Sequence, residues 1–212
     1  RNSIIGVFLG ILLGIGLAML RDQFDTRVHS AKDLERVMSV PVLGRIPEDE
    51  NIRQRPLIIH EGVHAGRAEA FRMLRTNLQF LGTEGSTETL VVTSAMPGAG
   101  KTHVIANLAI ALAESGARVT LIDADLRNPR LAHVMGIEGT AGLSDVLIDR
   151  AQLSEVIQPW GGQNLQVLPS GQIPPNPSEL LGSPRMQEVL DELHEQVDYV
   201  LVDAPPVLPV TD

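Results

Sequence analysis

The sequence of 212 residues has no cysteine, few aromatic residues and hardly any lysine. Without cysteine, the chain can form no disulfide, no thiolate metal site and no cysteine nucleophile. Phe, Trp and Tyr make up 3% of the residues, which argues against a platform for stacking nucleic-acid bases or sugar rings. The net charge of −9 argues against nucleic acid as a partner, because phosphate backbones are bound by clustered Lys and Arg. Apolar residues, at 43%, are sufficient for a core and exclude a disordered chain.

Residues 3–20 form an apolar stretch of 18 residues without a charge. As a helix rising about 1.5 Å per residue, this stretch spans roughly 27 Å, close to the ~30 Å hydrocarbon core of a bilayer. A signal-peptide core is usually shorter, and a buried helix of a soluble domain is the other reading. Arg21, Arg27 and Lys32 follow the stretch, and the bias of basic residues toward the cytoplasm places the rest of the chain there. We therefore expect one transmembrane helix at residues 1–20, in the cell (inner) membrane.

Charge and proline content divide the remainder of the chain. Between residues 21 and 60, seven basic and seven acidic side chains balance, and three prolines interrupt the chain. A capping box at residues 30–33 predicts a short helix in this stretch, which we interpret as a juxtamembrane connector. Residues 61–212 carry the net negative charge and are interpreted as a soluble domain. Since the sequence has no initiator Met and no terminal signal, we expect a fragment cut at both ends, with this domain incomplete.

Short apolar runs alternate with helical patterns in the soluble domain. The runs are typical of strands buried on both faces of a parallel sheet, and they lie at residues 90–93, 119–122, 165–168 and 199–202. Helices are predicted over residues 102–114 and 184–195, the second with Ser183 as its N-cap, and residues 176–179 carry a similar start signal. The alternation predicts an α/β fold with a doubly wound, mainly parallel sheet, and ligands beyond the carboxyl ends of its strands.

The strongest motif, TSAMPGAGKT at residues 93–102, follows the first predicted strand and begins a helix. Small residues allow backbone N–H groups to surround phosphates, and the helix N-terminus adds about half a positive charge. Lys101 would reach the β- and γ-phosphates, and the hydroxyl of Thr102 would bind Mg²⁺. A strand-to-helix turn with incidental glycines is the alternative. We predict a P-loop that binds ATP and Mg²⁺. Its predicted nucleotide-binding residues are Met96, Pro97, Gly98, Ala99, Gly100, Lys101, Thr102 and His103.

Three aspartates stand at the ends of two other predicted strands. Asp123 and Asp125 follow the second strand two residues apart, so that in an extended chain they point to one face. Asp203 ends the hydrophobic strand at residues 199–202, as in a Walker B element. A strand-end aspartate is often only a turn or capping residue. Together with the P-loop, the three favour a metal site, and the sequence leaves open which of Asp123 and Asp125 contacts the ion and which acts as a base.

The ordered motifs SAMPGAGKT, LIDADLRNP and YVLVDAPP resemble those of the bacterial tyrosine kinases. These kinases are the autokinase parts of capsular and exopolysaccharide co-polymerases, also called chain-length regulators, and their motifs are Walker A, Walker A′ and Walker B. EAFRMLR at residues 69–75 matches the family's E-x-x-R-x-x-R helix, and PPNPSELL at residues 174–181 matches a segment between the A′ and B strands. The apolar stretch followed by SVPVLGRIP at residues 39–47 resembles the family's second transmembrane helix and its exit, so the resemblance covers essentially the whole chain.

The resemblance implies a membrane-anchored, ATP-dependent tyrosine autokinase that regulates the polymerisation and export of a polysaccharide. The implied catalytic residues are Lys101, Asp123, Asp125 and Asp203, and the implied metal ligands are Thr102, Asp125 and Asp203. Glu69, Arg72 and Arg75 would contact a neighbouring copy in a ring-like homo-oligomer that phosphorylates its own tyrosines in trans. The polymerase and export machinery would be further partners.

From the residues alone, the three charged residues of the E-x-x-R-x-x-R helix also fit a solvated helix face. The family's tyrosine-rich tail is not in the sequence, and Tyr199 is predicted to lie in the core instead of accepting phosphate.

Two other functions share this fold. One is an ATPase switch of the partitioning and cell-division type, whose members carry a second lysine near the start of the P-loop. Residues 93–97 contain no lysine, which disfavours this reading. The other is a co-polymerase whose nucleotide domain is a non-catalytic sensor, which an assay for phosphotyrosine would distinguish from a kinase.

Overall fold

The computed structural model describes residues 2–23, 40–48, 56–60, 66–81, 87–162 and 164–208. The chain divides into two compact units, Arg1–Val42 and Leu43–Asp212. In the first unit, helix α1 runs from Asn2 to Gln23. Over the described ranges, no helix combines the length and the apolarity that crossing a bilayer requires, so the predicted membrane span is not shown. The capping box predicted at residues 30–33 lies outside the described residues.

Strands and helices alternate in the second unit, as predicted. Its strands are β1 (Glu88–Val92), β2 (Val119–Asp123), β3 (Gln158–Pro159), β4 (Leu165–Leu168) and β5 (Tyr199–Asp203). Its α-helices are α2 (Gly66–Gln79), α3 (Lys101–Glu114), α4 (Leu131–Met135), α5 (Leu143–Leu147), α6 (Leu153–Val156), α7 (Pro177–Leu181) and α8 (Pro184–His194). A 3₁₀ turn, Ile58–His60, precedes them.

The strands whose residues are described form one five-stranded sheet in the order β1-β5-β2-β4-β3. Strands β1, β5, β2 and β4 are parallel, and β3 pairs with β4 in the antiparallel direction at the edge. Every residue of β2 and four of the five in β5 are buried, because helices cover both faces of the sheet there. The predicted mainly parallel sheet is thus confirmed.

Two hydrophobic clusters lie on opposite faces of this sheet. Leu121 of β2 and Leu201 of β5 belong to the cluster that contains the buried side of α3. The adjacent residues Ile122 and Val202 belong to the other cluster, which contains the apolar residues of α8. Successive residues of a strand point to opposite faces, so the alternation shows that the sheet is doubly wound.

Candidate nucleotide site

The register of the central strands brings three segments to one edge of the sheet. Asp203, the last residue of β5, pairs with Val92 at the end of β1 on one side and with Asp123 at the end of β2 on the other. Because these strands are parallel, the loop after β1 and the chain after β2 both leave the sheet beside Asp203. The amide of Ala204 donates to the carbonyl of Val92 at 3.0 Å, which continues the pairing past the strand ends.

The loop between β1 and α3 keeps its backbone open. Gly98 (φ 78°) and Gly100 (φ 86°) adopt the left-handed conformation, which favours glycine because it lacks a Cβ. An added Cβ would meet no atom within 4 Å at either position, so the space beside this backbone is open. Gly100 is the N-cap of α3 and provides no side-chain hydrogen bond to it. The first amides of a 14-residue helix therefore remain available for an anion.

Lys101 and Thr102, the first two residues of α3, bind the strand-end carboxylates. The ammonium of Lys101 donates to Asp203 Oδ1 at 2.7 Å and to Asp125 Oδ2 at 3.2 Å. The hydroxyl of Thr102 donates to Asp203 Oδ2 at 2.7 Å. The Lys101 side chain is 9% exposed, so these contacts form in a largely dry environment, in which charge-assisted hydrogen bonds are strong.

Asp123 and Asp125 have different partners, although they are two residues apart. Asp123 is fully buried, and its oxygens accept the backbone N–H groups of Asp125 (3.2 Å) and of Leu131, the first residue of α4 (3.0 Å). Oδ1 of Asp125 accepts a hydrogen bond from the backbone N–H of Asn128 at 3.2 Å, and its Oδ2 is directed toward Lys101. Asp123 thus holds the turn that positions Asp125.

Burial dominates the electrostatics of these carboxylates. Desolvation raises the pKa of Asp123 to about 7, and the two backbone hydrogen bonds oppose this shift. Desolvation also raises the pKa of Asp203, against the hydrogen bonds from Lys101 and Thr102 that favour its charged form. The pKa of His103 is lowered, first by partial burial and second by the positive charge of Arg67.

The donor set fits a hard divalent ion that also binds phosphate. Within the described residues, no group of three or more His, Asp and Glu side chains could hold a metal by itself. Mg²⁺ usually takes one or two carboxylates and completes its shell with water and phosphate oxygens. Asp125, Asp203 and the hydroxyl of Thr102 form one hydrogen-bonded oxygen cluster of that kind.

The predicted interface residues do not share one environment. Glu69 and Arg72 form an exposed ion pair of 3.0 Å along α2. Arg75 is half-buried instead, and its Nη1 donates to the carbonyl of Ala111 in α3 at 3.1 Å. Their role between subunits stays a prediction, and Arg75 has a contact within the chain that the sequence did not indicate.

Several residues that support the site carry no sequence signal, and Tyr199 is less buried than its sequence predicts. Asn107 binds the chain near residues 56–58 to α3, and Thr93 donates to the carbonyl of Pro205 at 2.7 Å. No local pattern could have indicated contacts between such distant positions. Tyr199 packs against the core but is only partly buried, and desolvation raises its pKa.

Comparison with known proteins places this site in a family context. Residues 85–208 match the family described as ParA, NUBPL iron-transfer P-loop NTPase. Tyrosine-protein kinase YwqD of Bacillus subtilis (strain 168) is 41% identical over 145 residues, which cover 68% of this chain and 61% of that protein. Tyrosine-protein kinase Etk of Escherichia coli (strain K12) is 33% identical over 231 residues, which cover 100% of this chain and 32% of Etk. The chain therefore spans less than two thirds of these curated relatives.

Among the solved structures, a tyrosine kinase domain is more similar to this chain than a septum site-determining protein is. The kinase domain of the Escherichia coli tyrosine kinase Etk has a TM-score of 0.80 and 35% identity, with 87% of this chain and 76% of that domain covered. The septum site-determining protein MinD of Pyrococcus horikoshii OT3, solved in complex with Mg-ADP, is more distant. Its TM-score is 0.50 at 32% identity, with 57% of this chain and 50% of that chain covered.

Proposed function

Because the chain belongs to the family of bacterial tyrosine-protein kinases, which are P-loop NTPases, we propose that it is the kinase domain of a membrane-anchored tyrosine autokinase. The whole protein would regulate the polymerisation and export of a capsular polysaccharide or exopolysaccharide. The observation that carries the proposal is the cluster of Lys101, Thr102, Asp125 and Asp203 beside the open glycine loop.

The proposed substrate is ATP, bound with Mg²⁺. The loop at residues 96–100 and the first amides of α3 would surround the phosphates, and Lys101 would bind them as a cation. Thr102, Asp125 and Asp203 would hold the ion, which neutralises charge on the phosphates when bound. The open backbone at Gly98 and Gly100 and the oxygen cluster support these assignments.

The geometry supports different roles for the two aspartates after β2. Asp123 lies behind the site with both oxygens engaged by backbone amides, so it acts as a positioning residue. Asp125 has one oxygen fixed by Asn128 and the other directed into the cluster, so it is the better placed of the two to contact the ion.

The decisive experiment is a phosphorylation assay on the full-length protein. ATP and Mg²⁺ are added, and phosphotyrosine is detected with an antibody. We expect a signal from the wild type and its loss in Lys101→Met, because the substitution removes the cation that binds the phosphates. Arg118→Met is the matched control, since it also removes one positive charge. Arg118 lies just before β2, where it pairs with Asp198 on the surface, and belongs to none of the site contacts.

Each outcome of this assay separates the proposed functions. An unchanged signal in Lys101→Met would refute the P-loop kinase mechanism. If the wild type gave no phosphotyrosine but bound Mg·ADP in a calorimeter, a non-catalytic nucleotide sensor would be the better description. Nucleotide-dependent dimers without phosphotyrosine would instead indicate a switch of the partitioning and cell-division type.

We propose that Glu69 and Arg72 contribute to a ring of subunits that phosphorylate one another. The ion pair between the exposed Glu69 and the half-buried Arg72 on α2 supports this role, whereas the bond of Arg75 to Ala111 gives that residue a structural role as well. The test mixes tagged Lys101→Met protein, as acceptor, with active protein. Phosphotyrosine should appear on the acceptor, and Arg72→Ala in the active protein should reduce it. A phosphotyrosine signal confined to the active subunits would contradict transfer between copies.

The membrane span at residues 1–20 remains part of the proposal. Its support is the uncharged sequence of residues 3–20 and the basic residues that follow. We expect the protein to sediment with membranes and to resist extraction by high salt. Release by salt alone would contradict an integral span and indicate a peripheral association.

A further inference from the structure

Lys101 occupies the position from which a metal ion would contact the two carboxylates. Its ammonium touches one oxygen of Asp203 and one of Asp125, both of which are proposed metal ligands. Thr102 differs from Lys101 in this respect. Its hydroxyl donates a proton to Asp203 and keeps its lone pairs available for a metal, so its contact is compatible with ligation.

The ammonium and a divalent ion cannot share these oxygens without strong repulsion. Mg²⁺ requires ligand oxygens at about 2.0–2.1 Å in near-octahedral geometry. The Lys101 nitrogen already lies 2.7 Å from Asp203 Oδ1 and 3.2 Å from Asp125 Oδ2, in a site that is nearly closed to solvent. Two cations held this closely in such a place are poorly screened by water.

We infer that Lys101 is an internal counter-ion that competes with the divalent ion for Asp125 and Asp203, and that phosphate draws it away. The inference rests on the proposed nucleotide site and adds a coupling to it. Lys101 exchanges two carboxylates for phosphate oxygens, and the ion takes the carboxylates that Lys101 leaves. Nucleotide and metal therefore raise each other's affinity, and linkage requires the coupling to be equal in both directions.

The test measures Mn²⁺ binding to the 212-residue chain without nucleotide, by electron paramagnetic resonance of the free ion. Mn²⁺ is a suitable probe because it accepts the same oxygen ligands as Mg²⁺. Wild type should bind Mn²⁺ weakly, and Lys101→Met should bind it at least about tenfold more tightly, because the competing cation is gone. Lys101→Gln is a second neutral variant, and circular dichroism verifies that each variant folds.

Two controls establish the source of the gain. Arg118→Met removes one positive charge at an exposed ion pair and should leave Mn²⁺ affinity within about threefold of wild type, since distant surface charges are screened. Adding Asp125→Asn to Lys101→Met should abolish the gain, because one of the two carboxylates is lost. A gain in Lys101→Met below threefold, or one that survives Asp125→Asn, would overturn the inference.

Calorimetric titration of the protein with ADP tests the nucleotide site separately from the metal competition. In wild type, Mg²⁺ should raise ADP affinity, and in Lys101→Met this enhancement should shrink because the exchange no longer occurs. Absence of any Mg·ADP binding by wild type would count against the proposed function itself. Normal Mg·ADP binding by wild type, together with unchanged Mn²⁺ affinity in Lys101→Met, would refute only the competition.

Discussion

Asn107 joins the chain at residues 56–58 to the middle of α3, and its removal should release that segment. The side chain is 1% exposed and makes three hydrogen bonds. Its Oδ1 accepts the amide of Ile58 at 2.7 Å, and its Nδ2 donates to the carbonyls of Pro56 (2.9 Å) and His103 (2.8 Å). Asn107→Ala would leave a donor and an acceptor of the segment without these partners.

The size of the effect follows from two competing terms. If the segment stayed in place, the unpaired amide of Ile58 and carbonyl of Pro56 would cost about 1–3 kcal/mol each. If the segment separated from α3, burial of Leu57 and Ile58 would be lost, at about 1.5–3 kcal/mol each. In return, each residue of the segment 56–58 would regain conformational entropy worth about 1–2 kcal/mol. Over this segment, the lost burial and the regained conformational entropy nearly cancel. Losing about 2 kcal/mol of hydrogen-bond energy is therefore enough to open the segment.

Amide hydrogen exchange measures this opening directly. Exchange of the Ile58 amide should accelerate at least about 30-fold in Asn107→Ala, the equivalent of about 2 kcal/mol. Alanine is the better helix former, so a loss of helix propensity cannot explain the change. Asn164→Ala is the control, since Asn164 also contacts α3, through the carbonyl of Ala113, and does not touch the segment. Unchanged exchange at Ile58 would refute the reasoning.

Two further predictions concern the stability of the second unit. Gly142→Ala should destabilise this unit by about 1–3 kcal/mol in urea denaturation, because the new Cβ would overlap the Pro169 carbonyl. The control Gly162→Ala adds its Cβ to open space and should change the stability by less than about 0.5 kcal/mol. Equal effects of the two substitutions would contradict the packing argument. Hydrogen bonds from Arg118 lower the pKa of Asp198 in the folded chain. The ionised carboxylate therefore stabilises the fold above the pKa that Asp198 has in the unfolded chain, and this contribution is lost as the pH falls through its folded pKa. Asp198→Asn should therefore lower Tm by at most about 3 °C at pH 7 and leave it unchanged near pH 2, and a difference that grew in acid would show that the sign is wrong.

The sequence predicted long and strongly apolar elements well. The strand at residues 165–168 has its predicted bounds, and helix α3 begins one residue earlier than predicted, at Lys101. Helices α4, α5 and α6 have only four or five residues each, which is too short for a periodic signal. Strand β3, with two residues, owes its existence to pairing with β4 and not to its own composition.

The site was predictable as far as strand ends determine it. Parallel strands end at one edge, so Asp125 and Asp203 could be expected near the P-loop lysine, and both contact Lys101. The directions of the carboxylates were not predictable, because the two-residue period applies only while the chain stays extended. Strand β2 ends at Asp123, and the turn after it directs this carboxylate to Leu131 and that of Asp125 to Lys101.

The strand order also has a consequence for how the chain folds during synthesis. Strand β5 lies between β1 and β2, although it is made about 75 residues after β2. Until residues 199–203 leave the ribosome, β1 and β2 have no shared neighbour, and their backbone groups remain open edges. Such edges can pair with other chains, so the nascent protein depends on late insertion of β5 between them. That one insertion joins β1 to β2 and delivers Asp203 to Lys101, so this part of the sheet and its charge cluster form in the same event.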